Sequence, residues 1–313
     1  MLLDHIDIFG MASWISATCL AASAVFVLFC LRDGQYSERA SLVPYFLFAL
    51  LIIGLINPFG DSYRRNRRFF LSTLSRVALP FQEVTFSDFL LADILTSLAK
   101  PLSDLSLSMC RMLTFSVSAP PGSGSCRQDS WLPHVVLALP FIWRLFQCVR
   151  VYRSTGEVPN LANAAKYFSA LPVIYLYSLR FSMSPEMWDS HYRSKWLACA
   201  LLNSSFSYYW DLTWDWEFGI CTRSVLRGGW LLRSENVYSS LGIWALSGAY
   251  TWAVISNLVL RFVWLHKLSP EILSLQYINL LTCLLEAFRR FQWTYIRIEV
   301  ALLKESRAAS SVP

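Results

Sequence analysis

Charge is scarce in this chain: Asp, Glu, Lys and Arg make up 15% of its 313 residues. Histidine is scarcer, with His5, His134, His191 and His266 far apart in sequence. The eight cysteines (Cys19, Cys30, Cys110, Cys126, Cys148, Cys199, Cys221 and Cys283) include no C-x-x-C pair. These absences argue against a zinc site and against a disulfide framework. No acid–nucleophile constellation stands out, so an enzyme is a poor reading, and neither a cofactor nor a nucleic-acid partner is expected. The first apolar run lacks an A-x-A-like cleavage site, which makes it a retained span and not a signal peptide. No internal repeat is evident.

Apolar residues are what the chain has in excess. It is 55% hydrophobic and 15% aromatic, with 13 Trp and a mean hydropathy of +0.41. The apolar residues gather into long segments, and the expected fold class is an all-α polytopic membrane protein with about eight transmembrane helices. The spans fall at Met11–Leu31, Leu42–Ile56, Phe86–Val117, Leu132–Val151, Ala164–Phe181, Trp196–Trp216, Leu241–Leu265 and Ile272–Leu303. Asn57-Pro58-Phe59-Gly60 closes the second span as a turn, and an amphipathic piece runs from the basic stretch Arg64–Arg68 to Ala78. The third span is long enough to tilt or break, with Pro101 as its kink. This divides the chain into two N-terminal helices (1–56), a six-helix unit (57–303) and a small polar tail (304–313) expected to be disordered.

An even number of spans puts both termini on one side. The loops on that side hold Arg64, Arg65, Arg67, Arg68, Arg76, Arg153, Arg223, Arg227 and Arg233; the opposite loops are poorer in positive charge. By the positive-inside rule both termini are cytosolic.

The charges inside the spans carry the functional signal. Asp93 lies in span 3 with Thr96, Ser97 and Lys100; Arg144, Gln147 and Arg150 in span 4; Lys166 and Tyr167 in span 5. Span 6 has Asp211 and Asp215 at i, i+4, span 7 has Arg261 with Trp264, and span 8 has Glu286, Arg289 and Arg290. Ionisable groups at membrane depth are costly and face a protein interior or a water-filled cavity. Spans 1 and 2 carry nothing comparable and read as lipid-facing or homodimerising. In spans 3–8 cations outnumber carboxylates, which points to an anion pathway, and guanidinium forks match tetrahedral oxyanions. The competing reading is that these pairs staple helices together or snorkel to the interface, Arg150, Arg153 and Arg297 most of all. Tyr167 and Trp264, taken alone, read as core aromatics.

Five ordered blocks resemble the EXS family of retrovirus-receptor-type phosphate exporters. They are Phe86-Ser-Asp-Phe-Leu-Leu-Ala-Asp-Ile-Leu-Thr-Ser-Leu98, Trp143-Arg-Leu-Phe-Gln-Cys-Val-Arg-Val-Tyr152, Asn160-Leu-Ala-Asn-Ala-Ala-Lys-Tyr167, Trp210-Asp-Leu-Thr-Trp-Asp-Trp216 and Arg289-Arg-Phe-Gln-Trp-Thr-Tyr-Ile-Arg-Ile-Glu299. The resemblance implies a pathway for inorganic phosphate. It gives phosphate-contacting or gating roles to Asp93, Thr96, Lys166, Tyr167, Asp211, Asp215, Arg261, Trp264, Glu286, Arg289 and Arg290, with Arg144 and Arg150 secondary. The chain departs from the family pattern at Ile94, Val151, Ala165, Thr294 and Val300-Ala301.

The exporters of this family carry an SPX domain before the spans. Here ten residues precede span 1, so the expectation is that SPX-based regulation is missing. The short form resembles the Golgi-resident members whose loss disturbs retention of ER proteins. That implies return of phosphate released by glycosylation from Golgi lumen to cytosol, with an effect on retention of Golgi glycosyltransferases. The expected partners are phosphate, membrane lipids and Golgi glycosyltransferases or coat components; the alternative locations are the ER and the plasma membrane. The alternative function is a trafficking adaptor without transport, using Arg64–Arg68, the Arg223–Arg233 loop and the tail, features that also serve topology and lipid contact.

Overall fold

The computed structural model describes residues 38–56, 61–79, 82–114, 126, 129–218, 243–269 and 278–310, together with 21, 24, 25 and 28. Most of span 1, the 115–125 loop and the Arg223–Arg233 loop lie outside the described residues. Every described regular element is helical. They are α1 (Glu38–Ile56), α2 (Asp61–Ala78), α3 (Phe86–Ser97), α4 (Ala99–Leu113), α5 (Trp131–Thr155) and α6 (Val158–Phe168). Then follow α7 (Ala170–Ser182), α8 (Pro185–His191), α9 (Arg193–Trp210), a π-helical turn (Asp211–Asp215), α10 (Ile243–Arg261), a 3-10 turn (Val263–Leu268) and α11 (Ile278–Ser310).

Among the described residues only α5 is by itself both long and apolar enough to cross a membrane. What marks a membrane protein is the inversion of burial. On α11, Leu284, Phe288, Phe291 and Tyr295 are exposed, Phe291 to 68%, while Arg289 on the opposite face is 2% exposed. On α10, Trp252, Ile255 and Val259 are exposed and Asn257 is 1% exposed. Apolar side chains outside and polar ones inside are what a hydrocarbon solvent requires.

Two spans are broken, each by a proline four residues downstream. Span 3 ends its first helix at Ser97, not at Pro101, because Pro101 has no N–H for the Ser97 carbonyl and its ring crowds that residue. Span 5, read as one piece, starts at Val158 and breaks at Ser169, where Pro172 stands in the same relation to Phe168. Backbone freed at such breaks survives in a membrane only where protein or water satisfies it. At the second break the Lys166 carbonyl accepts from Ser169 Oγ (2.7 Å) and Asn203 Nδ2 (3.3 Å).

The chain forms two compact units. The first comprises residues 1–91 and 102–139. Here Thr85 and Asp88 make a reciprocal cap for α3: the Thr85 N–H donates to Asp88 Oδ2 (3.0 Å) and the Asp88 N–H to Thr85 Oγ1 (3.4 Å). Arg76 of α2 donates to Asp88 Oδ1 at 2.9 Å. A disulfide joins Cys110 of α4 to Cys126, with Cα atoms 5.8 Å apart. It corrects the expectation of no disulfide, which rested on the lack of close Cys spacing: the bridge spans 16 positions.

The second unit comprises residues 92–101 and 140–313. In it α9 packs against α6, α7, α8 and α10, and α10 packs against α11. Trp188, Trp196 and Ala200 form an apolar cluster with Tyr177 and Trp264 against it. The tail expectation is also corrected: α11 runs unbroken through Lys304 to Ser310, and Lys304 pairs with Glu217.

Candidate functional site

The site lies within the second unit. Its positions follow from the breaks described above: Asp93, Thr96 and Ser97 occupy the last turns of α3, and Lys166 and Tyr167 the last turn of α6. Asp211 and Asp215 sit on the π-helical turn that ends α9, where the Trp216 N–H reaches back to the Asp211 carbonyl at 2.8 Å. Single π turns inserted in helices recur at functional sites. Arg261 ends α10, and Glu286, Arg289 and Arg290 occupy the middle of α11.

Three ion pairs organise these groups. Asp93 is buried with Arg144, whose Nε donates to Oδ1 at 2.9 Å; the Tyr167 hydroxyl donates to the same oxygen, and Arg144 also donates to Gln147 Oε1 at 2.8 Å. Asp211 Oδ2 accepts from Arg261 Nε (3.1 Å) and a terminal Arg261 nitrogen (2.6 Å), and from Asn257 Nδ2 (3.0 Å). Arg289 donates through Nε to Glu286 Oε2 at 2.9 Å and lies 3.8 Å from Asp211. Breaking any of these would leave an uncompensated buried charge.

Two further cations are held without a carboxylate. Lys166 Nζ lies 4.4 Å from the Tyr167 ring centre and 5.2 Å from that of Trp210. Arg290 donates to Ser97 Oγ (2.7 Å) and Thr96 Oγ1 (3.2 Å) and stacks 4.6 Å from the Trp293 ring centre. Among the described residues neither has a carboxylate oxygen within the 4.0 Å of an ion pair. Both are buried, Lys166 to 5% exposure.

Both cations line a cavity of about 50 Å³, with Tyr167, Asp211, Asp215 and Arg261 also in its wall. That is room for about three to five waters, or for one small oxyanion. The wall carries three cations, Lys166, Arg261 and Arg290, against two carboxylates. A second cavity of about 280 Å³ is lined by Lys100, Trp264, Lys267 and Glu286, and shares Asn203 and Arg261 with the first. In the wall of the small cavity Trp293 Nε1 donates to Asp215 Oδ2 (3.3 Å), and Arg297 donates to the Asp215 carbonyl (3.2 Å).

The structure thus brings the residues singled out in the sequence to one place, with one exception. Thr96, Lys166, Tyr167, Asp211, Asp215, Arg261 and Arg290 line the small cavity. Trp264 and Glu286 line the larger one. Asp93, Arg144 and Arg289 stand behind these walls as partners. Arg150, named as secondary, is exposed on α5 and is not part of the site, as its place near a helix end allows. Tyr167 and Trp264 are more than core filling: Trp264 Nε1 donates to Ser204 Oγ at 2.9 Å. Sequence reasoning missed Asn203, Ser207 and Asn257, which carry no charge to betray them. Their signal was helical spacing: Asn257 is four residues before Arg261, and Ser207 four before Asp211.

Comparison with known proteins now adds identity. The sequence model of the EXS family matches residues 2–303. The chain is 31% identical over 314 residues to the zebrafish (Danio rerio) xenotropic and polytropic retrovirus receptor 1 homolog, covering 95% of this chain and 43% of that protein. It is 28% identical over 323 residues to mouse (Mus musculus) solute carrier family 53 member 1, covering 95% and 44%. Similarity to SPX and EXS domain-containing protein 1 of Dictyostelium discoideum is 28% over 307 residues, covering 95% and 32%. The chain therefore spans less than half the length of these relatives. A family match over nearly the whole chain makes the conclusion direct: this chain belongs to the EXS family.

Proposed function

We propose that this protein is a transporter or channel for inorganic phosphate, with its pathway through the two cavities of the second unit. The observation that carries the reading is the pair Lys166 and Arg290. They are buried cations in the wall of an oxyanion-sized cavity, held by rings and hydroxyls, whereas the neighbouring cations are engaged by carboxylates. A cation that has lost water and has no carboxylate partner has its charge available to an anion. The guanidinium of Arg290 supplies a fork for a tetrahedral oxyanion. Asp93, Asp211 and Glu286 hold Arg144, Arg261 and Arg289 in place, so that the fixed charges do not collapse on the ligand. The family's resemblance to phosphate exporters supports phosphate as the anion.

In this reading the larger cavity, with Lys100, Lys267 and Arg261, is an entry vestibule on the non-cytosolic side, and both termini are cytosolic. The Cys110–Cys126 disulfide supports that orientation. It belongs to the end of span 3 and the following loop, which positive-inside counting assigns to the lumen, and disulfides persist in oxidising compartments. The compartment we propose is the Golgi, where phosphate from glycosylation would be returned to the cytosol and glycosyltransferase retention would depend on that return; the short-form resemblance supports this.

The test is phosphate uptake by proteoliposomes. Lys166→Met together with Arg290→Gln should lower flux about 100-fold or more, two lost charge-assisted contacts being worth at least 1.5 kcal/mol each on the usual scale (about 3 kcal/mol together). Wild-type flux from a correctly folded double variant would refute the site.

A further inference from the structure

An anion site with a carboxylate in its wall needs an explanation, and the two aspartates of the π-helical turn differ in it. Asp211 is neutralised: its Oδ2 accepts both the Arg261 contacts and Asn257, with Arg289 3.8 Å away. Asp215 is not matched in this way. Among the described residues its Oδ2 accepts only an indole N–H at 3.3 Å, and its Oδ1 makes one long ion pair, 3.9 Å from Arg297 Nε, with no arginine hydrogen bond to either oxygen. Yet Asp215 is 5% exposed and lines the same small cavity as Lys166 and Arg290. Toward a fully ionised oxyanion this carboxylate is purely repulsive. Toward an oxyanion that keeps a hydroxyl it is an acceptor for a charge-assisted hydrogen bond.

We propose that Asp215 is the specificity-determining residue of the site: its carboxylate accepts a hydrogen bond from the hydroxyl of a protonated tetrahedral oxyanion, while Lys166 and Arg290 bind the unprotonated oxygens. The site selects phosphate and arsenate, which keep at least one hydroxyl at neutral pH, and rejects sulfate, which has the same shape and none. No proton transfer is needed; the hydroxyl keeps its hydrogen. The rejection is strong because a buried carboxylate facing an anion without a donor is repelled by it and gains no hydrogen bond in return. This inference rests on the phosphate-pathway reading and adds the chemical form of the anion to it.

The experiment is competition in proteoliposomes carrying the wild-type protein, with phosphate uptake measured against added arsenate or sulfate. Arsenate should compete about as well as phosphate itself, and sulfate at least about 100-fold less well. Asp215→Asn, whose amide can donate to sulfate, should narrow the phosphate-to-sulfate preference by about tenfold or more, Asp215→Glu should keep it, and Asp211→Asn should lower transport of both anions without changing their ratio. Competition by sulfate equal to arsenate in the wild type overturns the proposal, whatever the variants do. So does an unchanged preference in Asp215→Asn protein that elutes and melts like wild type. Absence of any wild-type phosphate flux overturns the pathway reading and this inference with it; flux without discrimination overturns this inference alone.

Discussion

The two units of the molecule are held together by different means. In residues 1–91 and 102–139 the contacts seen among the described residues include a reciprocal helix cap, a disulfide and the Arg76–Asp88 pair, whose arginine is 25% exposed. In residues 92–101 and 140–313 they are buried ion pairs: Arg144 and Asp93 are 2% and 1% exposed. Cap and bridge stabilise at little desolvation cost. Buried pairs are expensive, and replacing them by apolar side chains is often neutral or stabilising. A unit that keeps several of them around a cavity gains something other than stability. In our account that gain is a fixed positive field for an anion.

Separating stability from transport tests this contrast. The largest stability effect belongs to the second unit. Arg144→Ala leaves Asp93 buried with, among the described residues, the Tyr167 hydroxyl as its one side-chain hydrogen-bond donor, and should cost about 3–5 kcal/mol, read as a fall in the melting temperature in detergent. Adding Asp93→Asn should recover much of that loss without restoring transport, which no mere staple predicts. In the first unit Cys110→Ser should cost about 3 kcal/mol, as expected for opening a loop of this size. Flux per folded molecule should stay near the wild-type value. Asp88→Ala removes one half of the α3 cap together with the Arg76 pair and should cost about 1–2 kcal/mol, also without a transport defect. A large flux loss in either first-unit variant, at preserved fold, would erase the distinction.

Much of the site was legible because charge at membrane depth is rare and so informative. Asp93, Lys166, Asp211, Arg261, Glu286, Arg289 and Arg290 were found from depth and sign alone, and the family blocks reached the same positions. What hid was of three kinds. Neutral polar side chains such as Asn203 and Asn257 are ordinary in an apolar run, and only their spacing to the aspartate or arginine gives them away. Backbone irregularity hid as well: Asp211 and Asp215 at i, i+4 look the same on an α-helix as on a π turn, and a proline ends the helix four residues before its own position. Long-range pairing hid most, since nothing local links Cys110 to Cys126. Of the fold, the all-helical class and the inward charged face were legible. The eight-span count is still a reading of the sequence, because a span broken at Ser97 or Ser169 and loaded with charge no longer looks like one apolar helix.

The most direct test is a density map of the membrane-embedded protein in the presence of phosphate. The account predicts one tetrahedral density in the small cavity, touching Lys166 Nζ and the Arg290 guanidinium with one oxygen turned to Asp215. Phosphate bound elsewhere, with Lys166 and Arg290 facing only water at saturating phosphate, would contradict it.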